Sequence, residues 1–338
     1  MRKYKKIFGV VGLLACMIAT SGCGKQVENE TSTKASDITF VLDWTPNTNH
    51  TGLYVAIEKG YFKEEGLNVT VIQPPEDGAE ALVASGKAQF GVSFQDTLAP
   101  AFARENPLPI TAVGTILQHN TSGILSRKGD GMERPKGMEG HQYATWDLPV
   151  EKSIIKNVVE SDGGKMENVE LIPSTVTDEY SALKTKQVDA IWVYYGWAGI
   201  GTKVKGMETD FFAFKDINPV FDYYTPVIIG NNHYLEEHTE ETKAFLRAVT
   251  KGYEDAVRNP EEAGNILLKY AKELDKELVL ESQKWLSTQY KEDGISWGYI
   301  DEKRWNQFYQ WLYENKLIEK AIPDNTGFSN EYLPSSTK

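Results

Sequence analysis

From residue 38 onward, short apolar runs alternate with segments whose apolar positions recur every three or four residues. Residues 38–42, 68–72, 90–94 and 109–117 are rich in β-branched and aromatic side chains and predict strands. Between them, residues 52–62 place Leu53, Ala56, Ile57 and Tyr61 at helical spacing. Residues 76–85 and 95–104 also read as helices, the first closed by Gly86. A stretch rich in Gly, Lys, Arg and Pro at 126–140 interrupts the pattern. It then restarts, with strands at 142–146, 169–172 and 190–194 and helices at 150–162 and 177–185. After Gly230 the chain is helix-patterned, over 233–259, 260–272, 275–292 and 301–315. Strands alternating with helices predict an α/β fold with mainly parallel neighbours, in two units of similar size joined near residue 128.

The first residues follow a different rule. MRKYKK carries four positive charges, and the apolar stretch 7–19 that follows is shorter than the ~20 residues a spanning helix needs. This is the pattern of a secretory signal. It ends in Thr20-Ser21-Gly22-Cys23, small residues before a cysteine, as in the lipobox of a bacterial lipoprotein. Cys16 follows a similar Leu-Leu-Ala run, but cleavage there leaves an apolar segment of only nine residues, so Cys23 is the expected lipidation site. The expected organisation is a signal peptide over 1–22 and a polar, flexible tether over 23–36, with the folded body beyond it. Such a body sits on the outer face of a bacterial cell membrane, Gram-positive by this architecture, held by its lipid (palmitate).

Composition narrows the function. The 338 residues include 36 Lys and Arg against 48 Asp and Glu, a net charge of −12, which argues against binding nucleic acid. Removing the signal takes away four basic residues and no acidic one, so the exported body is more acidic still. Both cysteines lie within the first 23 residues, which leaves the body without a disulfide, a cysteine metal site or a cysteine nucleophile. The five His are scattered without ligand spacing, so no metal is expected. Nor is there a G-x-S-x-G elbow or a glycine-rich phosphate loop.

In open α/β sheets, the loops at the carboxyl ends of strands line the ligand crevice. Here those loops (43–50, 95–97, 118–121, 146–149 and 194–197) interleave aromatics with amides: Trp44, Trp146, Tyr194, Tyr195 and Trp197 with Asn47, Asn49, Gln95, Gln118 and Asn120. Aromatic faces with amide edges suit a flat, weakly polar heterocycle. His50 either faces that ligand or caps the helix that it begins. Trp285, Trp305 and Trp311 lie on amphipathic C-terminal segments and are expected in the core.

The run Leu42-Asp43-Trp44-Thr45-Pro46-Asn47-Thr48-Asn49-His50-Thr51-Gly52-Leu53-Tyr54-Val55-Ala56 resembles the opening of the thiamine-pyrimidine synthase-like family. That family includes fungal synthases and the bacterial lipoproteins that deliver formylaminopyrimidine to ABC importers. Residues 60–67 (GYFKEEGL), 91–96 (GVSFQD) and 189–197 (DAIWVYYGW) fit the same resemblance, which covers nearly the whole body. It implies a two-lobed, periplasmic-binding-protein-like (type II) fold with two crossover segments. Lobe one is then 37–128 plus 227–338, and lobe two 129–226. By motif position it also implies that Trp44, Asn47, Tyr194 and Trp197 contact a pyrimidine ring, with Tyr223 near the crevice. In relatives an acidic residue often follows the tryptophan at 197; here Ala198 stands there, and Asp43, Asp178 and Glu179 are the available substitutes. The expectation is a monomeric, cofactor-free solute-binding protein, with ABC permease subunits as partners. Riboflavin or another flat heterocycle is the alternative cargo, and an exported pyrimidine-metabolising enzyme the alternative class.

Overall fold

The computed structural model describes residues 35–174, 176–292 and 295–335. The signal segment and the lipidation expected at Cys23 lie outside the described residues. Strands β1 (Ser36–Val41), β2 (Leu67–Ile72), β3 (Phe90–Ser93) and β4 (Ile110–Thr115) form the first sheet with β10 (Val227–Asn231), in the order β2-β1-β3-β10-β4. A second sheet contains β5 (Ser122–Arg127), β6 (Gln142–Thr145), β7 (Glu170–Pro173), β8 (Ala190–Tyr194) and β9 (Thr209–Ala213), in the order β7-β6-β8-β5-β9. Each sheet is the heart of one lobe, and the two lobes share the two-lobed α/β architecture that the resemblance implies.

Most neighbours are parallel, as the alternating pattern requires: β1 with β2 and β3, and β6 with β7 and β8. The exceptions are instructive. β10 runs antiparallel between β3 and β4, and β5 runs antiparallel between β8 and β9. These are the strands by which the chain enters the second sheet and returns to the first. The first crossing therefore falls at 116–121, ahead of the join near 128, because Ser122–Arg127 already pairs within the second sheet. The hydrophobic pattern singles out neither β5, β9 nor β10. β10 is buried on both faces, so it shows no alternation, and β9 joins polar Thr-Asp to a Phe-Phe pair.

Three apolar layers hold the sheets. On the outer face of the first sheet, Ile38, Phe40 and Leu42 pack beneath helices Thr51–Glu58 and Thr239–Arg258. Those two helices cross at paired glycines: a Cβ on Gly252 would lie 2.0 Å from the Gly52 carbonyl oxygen. The outer face of the second sheet buries Leu125, Ile191 and Val193. The inner layer is shared by both lobes. It runs from Val41, Leu98 and Ile229 through Phe221 and Tyr223 to Ile124 and Trp192, and includes Phe308 and Trp311 of helix Glu302–Glu314. Trp305 is buried there as expected; Trp285 is only partly buried.

Helix Lys276–Leu286 begins at Asp275, whose carboxylate accepts from the Leu278 N–H at 2.8 Å, satisfying one of the donors that a helix start leaves open. It packs on helix Pro260–Tyr270 and reaches across to the second lobe at Gly196, where a Cβ would meet Leu286 at 2.9 Å.

Candidate functional site

The loop after β1 is tied down by its own polar side chains. Asn47 caps the short turn Thr48–His50, accepting from the Asn49 N–H at 2.9 Å, and its amide donates to the Thr45 carbonyl at 3.1 Å. His50 is 1% exposed. Its Nδ1 accepts from the Asn47 N–H at 3.2 Å, which places the ring proton on Nε2, 2.7 Å from Asp43 Oδ1. Asn47, His50 and Asp43 thus shape the loop from within rather than facing a ligand with free groups. What the loop presents outward is Trp44, 57% exposed.

The amides expected to read a ligand edge are also committed to the chain. Gln95 donates to the Trp305 carbonyl at 2.9 Å and accepts from the Tyr224 N–H at 2.8 Å, joining β3's helix, the second crossing and the C-terminal helix. Gln118 donates to the Tyr299 carbonyl at 2.9 Å. Asn120 donates to the Phe221 carbonyl and accepts from the Ser122 N–H, each at 2.8 Å. The two crossings are further pinned by Asp222, which accepts from the Asn120 N–H at 2.9 Å and from Arg304 at 3.0 Å.

The second lobe contributes aromatics. Glu151 is buried and gathers the Trp146 and Leu148 N–H groups and the Tyr143 hydroxyl, which holds the turn after β6. Trp146 rests against Trp192 with ring centres 5.7 Å apart and stays 46% exposed. Tyr194 faces Phe94 of the first lobe, with ring centres 6.4 Å apart and planes within 18°. Both rings are half-buried. Burial and the Asp96 charge push the Tyr194 phenol up. Tyr195 turns away to pack on Phe211 and Trp285. Tyr223 is buried, stacked on Phe308 at 4.1 Å.

Trp197 and Glu179 line a separate cleft of about 270 Å³ between the second lobe and helix Lys276–Leu286, together with Ala198, Asp178, Lys205 and Asp275. Burial raises the Glu179 carboxyl. Asp178 bonds Ser181 and Lys205, and these hold its carboxyl low. The structure therefore brings Tyr194 and Tyr223 together with Phe94 and Asp96, two residues not singled out as ligand contacts, and sets Trp197 and Glu179 apart in the separate cleft.

Asp96 lies in the first turn of helix Gln95–Ala103. Its Oδ1 is sealed from solvent and has no hydrogen-bond partner. Burial pushes its pKa up to about 6, against backbone N–H groups of Thr97 and Asp96 itself that pull it down. In sequence it stands two residues after Phe94, where the apolar strand run ends.

Two sheets joined by two crossings, with an aromatic ring of each lobe facing the other, are the architecture of a two-lobed solute-binding protein. The profile of the NMT1/THI5-like family matches residues 47–263, and the chain belongs to that family. It is 30% identical over 341 residues to the formylaminopyrimidine-binding protein of Halalkalibacterium halodurans, covering 96% of this chain and 99% of that one. It is also 25% identical over 325 residues to the Saccharomyces cerevisiae 4-amino-5-hydroxymethyl-2-methylpyrimidine phosphate synthase THI13, covering 88% and 87%. Among solved structures, the Escherichia coli periplasmic aliphatic sulphonate binding protein SsuA shares the fold at TM-score 0.67 and 13% identity, covering 85% of this chain and 95% of that one.

Proposed function

We propose that the chain captures a thiamine-related aminopyrimidine, formylaminopyrimidine, and delivers it to an ABC permease for thiamine salvage without turning it over. The observation that carries this reading is the facing pair Phe94 and Tyr194, one ring from each lobe, near-parallel and 6.4 Å apart. A flat ring in contact with both needs about 7 Å between them, two carbon contacts of about 3.5 Å each. A slight opening of the lobes admits a planar heterocycle, and closure then stacks it on both faces, at ~0.5–1.5 kcal/mol per aromatic pair beyond area burial. The similarity to the formylaminopyrimidine-binding protein of H. halodurans supports the choice of pyrimidine.

Binding is favoured over catalysis by the state of His50, whose two ring nitrogens are engaged by Asp43 and by the Asn47 backbone. A general base needs a free nitrogen within reach of substrate. The N-terminal pattern supports export and anchoring through lipid at Cys23 on the outer membrane face, with the acidic body docking as a monomer on the permease.

The test is to titrate the body from residue 35, ahead of β1, with formylaminopyrimidine, thiamine and riboflavin while recording tryptophan fluorescence and searching for converted product by mass spectrometry. Saturable binding of the pyrimidine without conversion is expected. Binding of riboflavin alone would move the cargo to a larger ring system, and conversion of the pyrimidine would make the protein an enzyme.

A further inference from the structure

An aminopyrimidine presents a ring nitrogen beside an exocyclic amine, an acceptor next to a donor. A site that reads this edge needs a carboxyl or amide group with free hydrogen-bonding capacity. The amides are taken: Gln95, Gln118 and Asn120 bond backbone groups of the chain. Among the acids, Asp43 bonds His50, Asp178 bonds Ser181 and Lys205, and Glu179 lines the separate cleft with Trp197. Position 198, directly after Trp197, is alanine and offers no polar group. Asp96 differs from all of these, because its Oδ1 is buried and has no partner.

The surroundings of Asp96 repeat the observation. The hydroxyls of Tyr223, on the second crossing, and Tyr309, on helix Glu302–Glu314, are also buried and without a hydrogen-bond partner. Burial raises the Tyr223 phenol; the Asn120 side chain beside it pulls the other way, yet both Asn120 groups are engaged elsewhere. The Asp96 charge acts on the Tyr223, Tyr309 and Tyr194 phenols, from three different elements. From helix Gly78–Ala84, Glu80 adds a like charge, although its own carboxylate accepts from the Ser93 hydroxyl. A buried polar atom without a partner is costly, and several gathered at one seam mark a place that something else completes. Phe94, two residues before Asp96, forms one wall of the aromatic slot.

Resting on the aminopyrimidine reading above, we propose that Asp96 reads the ligand's amidine edge, its carboxyl group sharing one proton with the ring nitrogen and accepting a hydrogen bond from the exocyclic amine. The Tyr223 and Tyr309 hydroxyls complete the polar rim of that pocket. The proton balance follows. The complex holds one proton between Asp96 and the ring nitrogen, supplied by the acid form of Asp96 or by a protonated ligand. At a pH above the titration of both, neither partner carries it, and binding takes one proton from solution.

The experiment measures the Kd for formylaminopyrimidine from pH 5.5 to 9 with the wild-type chain and with Asp96→Asn. The asparagine amide can donate to the ring nitrogen and accept from the amine with no proton exchanged. Wild-type Kd should rise about tenfold per pH unit in the alkaline range, while the Asp96→Asn profile stays flat there. A matching slope in the two proteins, or a flat wild-type profile, overturns the role of Asp96 while leaving the capture function standing. Absence of wild-type binding at every pH overturns the capture function itself. Asp96→Ala adds a second readout: it should bind at least tenfold more weakly, and unchanged affinity in a variant that melts normally also overturns the inference.

Discussion

The Thr48 and Ser282 hydroxyl oxygens lie 2.6 Å apart, both buried, and the Ser282 hydroxyl in turn donates to the carbonyl of Gly196. Since the Ser282 proton goes to Gly196, Thr48 donates to Ser282. This relay runs from the loop after β1 in the first lobe, through helix Lys276–Leu286, to the turn after β8 in the second. The Tyr290 hydroxyl reinforces it by donating to the Thr48 carbonyl at 2.6 Å.

Ser282→Ala leaves the Thr48 donor and the Gly196 acceptor buried without each other's intermediary. The expected cost is about 1–3 kcal/mol of stability, read as a lower midpoint in thermal unfolding. Ligand affinity should fall as well, because the relay bridges the lobes that close on the ligand. A midpoint equal to wild type would show that the relay contributes nothing to holding the lobes.

Two tryptophans, Trp44 and Trp197, separate binding from stability. Trp44 is 57% exposed, so Trp44→Ala should change stability by no more than about 0.5 kcal/mol, yet weaken ligand binding at least tenfold, about 1.4 kcal/mol. Trp197 is half-buried and packs against the first lobe's outer core, so Trp197→Ala should lower both the melting midpoint and the affinity. Parallel fluorescence titrations and calorimetry read the two quantities. Unchanged affinity in Trp44→Ala removes that side chain from the ligand site.

In the ligand-free protein, Asp96 makes stability depend on pH in the opposite sense to a salt-bridged carboxylate. Its folded pKa, about 6, lies above the unfolded value near 3.9. Below about pH 4 the group is protonated in both states and has no effect. Between about pH 4 and 6 the unfolded chain releases its proton first, so stability falls as pH rises, by about 3 kcal/mol once both states are ionised. Asp96→Asn should therefore melt higher than wild type at pH 8, with the gap closing toward pH 4. Calorimetry of both proteins across that range measures it, and a constant difference would sink the idea.

Gly52 and Gly252 allow helices Thr51–Glu58 and Thr239–Arg258 to touch backbone to backbone. A Cβ on Gly52 would stand 2.3 Å from the Tyr253 ring, which is stacked on Trp297 at 4.4 Å and donates to the Asn49 carbonyl at 2.6 Å. Gly52→Ala should destabilise by at least about 1–3 kcal/mol, the usual range for overpacking. Because Tyr253 anchors the loop that carries Trp44, affinity should drop with it. Thermal unfolding beside ligand titration tests both effects.

The sequence was most legible where one physical rule acted alone. β1, β2, β3, β6 and β8 alternate with helices, and their β-rich runs stand out. β5 and β10 do not, because a crossing strand buried on both faces has no periodicity to read. The site was legible as chemistry but not as wiring. Residue type told that Gln95 and His50 can form hydrogen bonds; only the fold shows that Trp305, Tyr224, Asp43 and Asn47 already supply their partners. Asp96 was hidden for the converse reason. An acid in the first turn of a helix has an ordinary explanation in the helix dipole, and its unpartnered oxygen is a three-dimensional fact.

The inner apolar layer belongs to both sheets, joined where Tyr223 stacks on Phe308 and Phe221 meets Trp311 edge-on at 4.9 Å. Neither lobe can lose its packing without stripping this shared layer from the other. Two lobes so fused should melt as a single cooperative unit, with calorimetric and van't Hoff enthalpies in agreement. A ligand held between them would then protect the entire body from heat, including helices far from the crevice, and one melting midpoint would serve as a complete readout of occupancy.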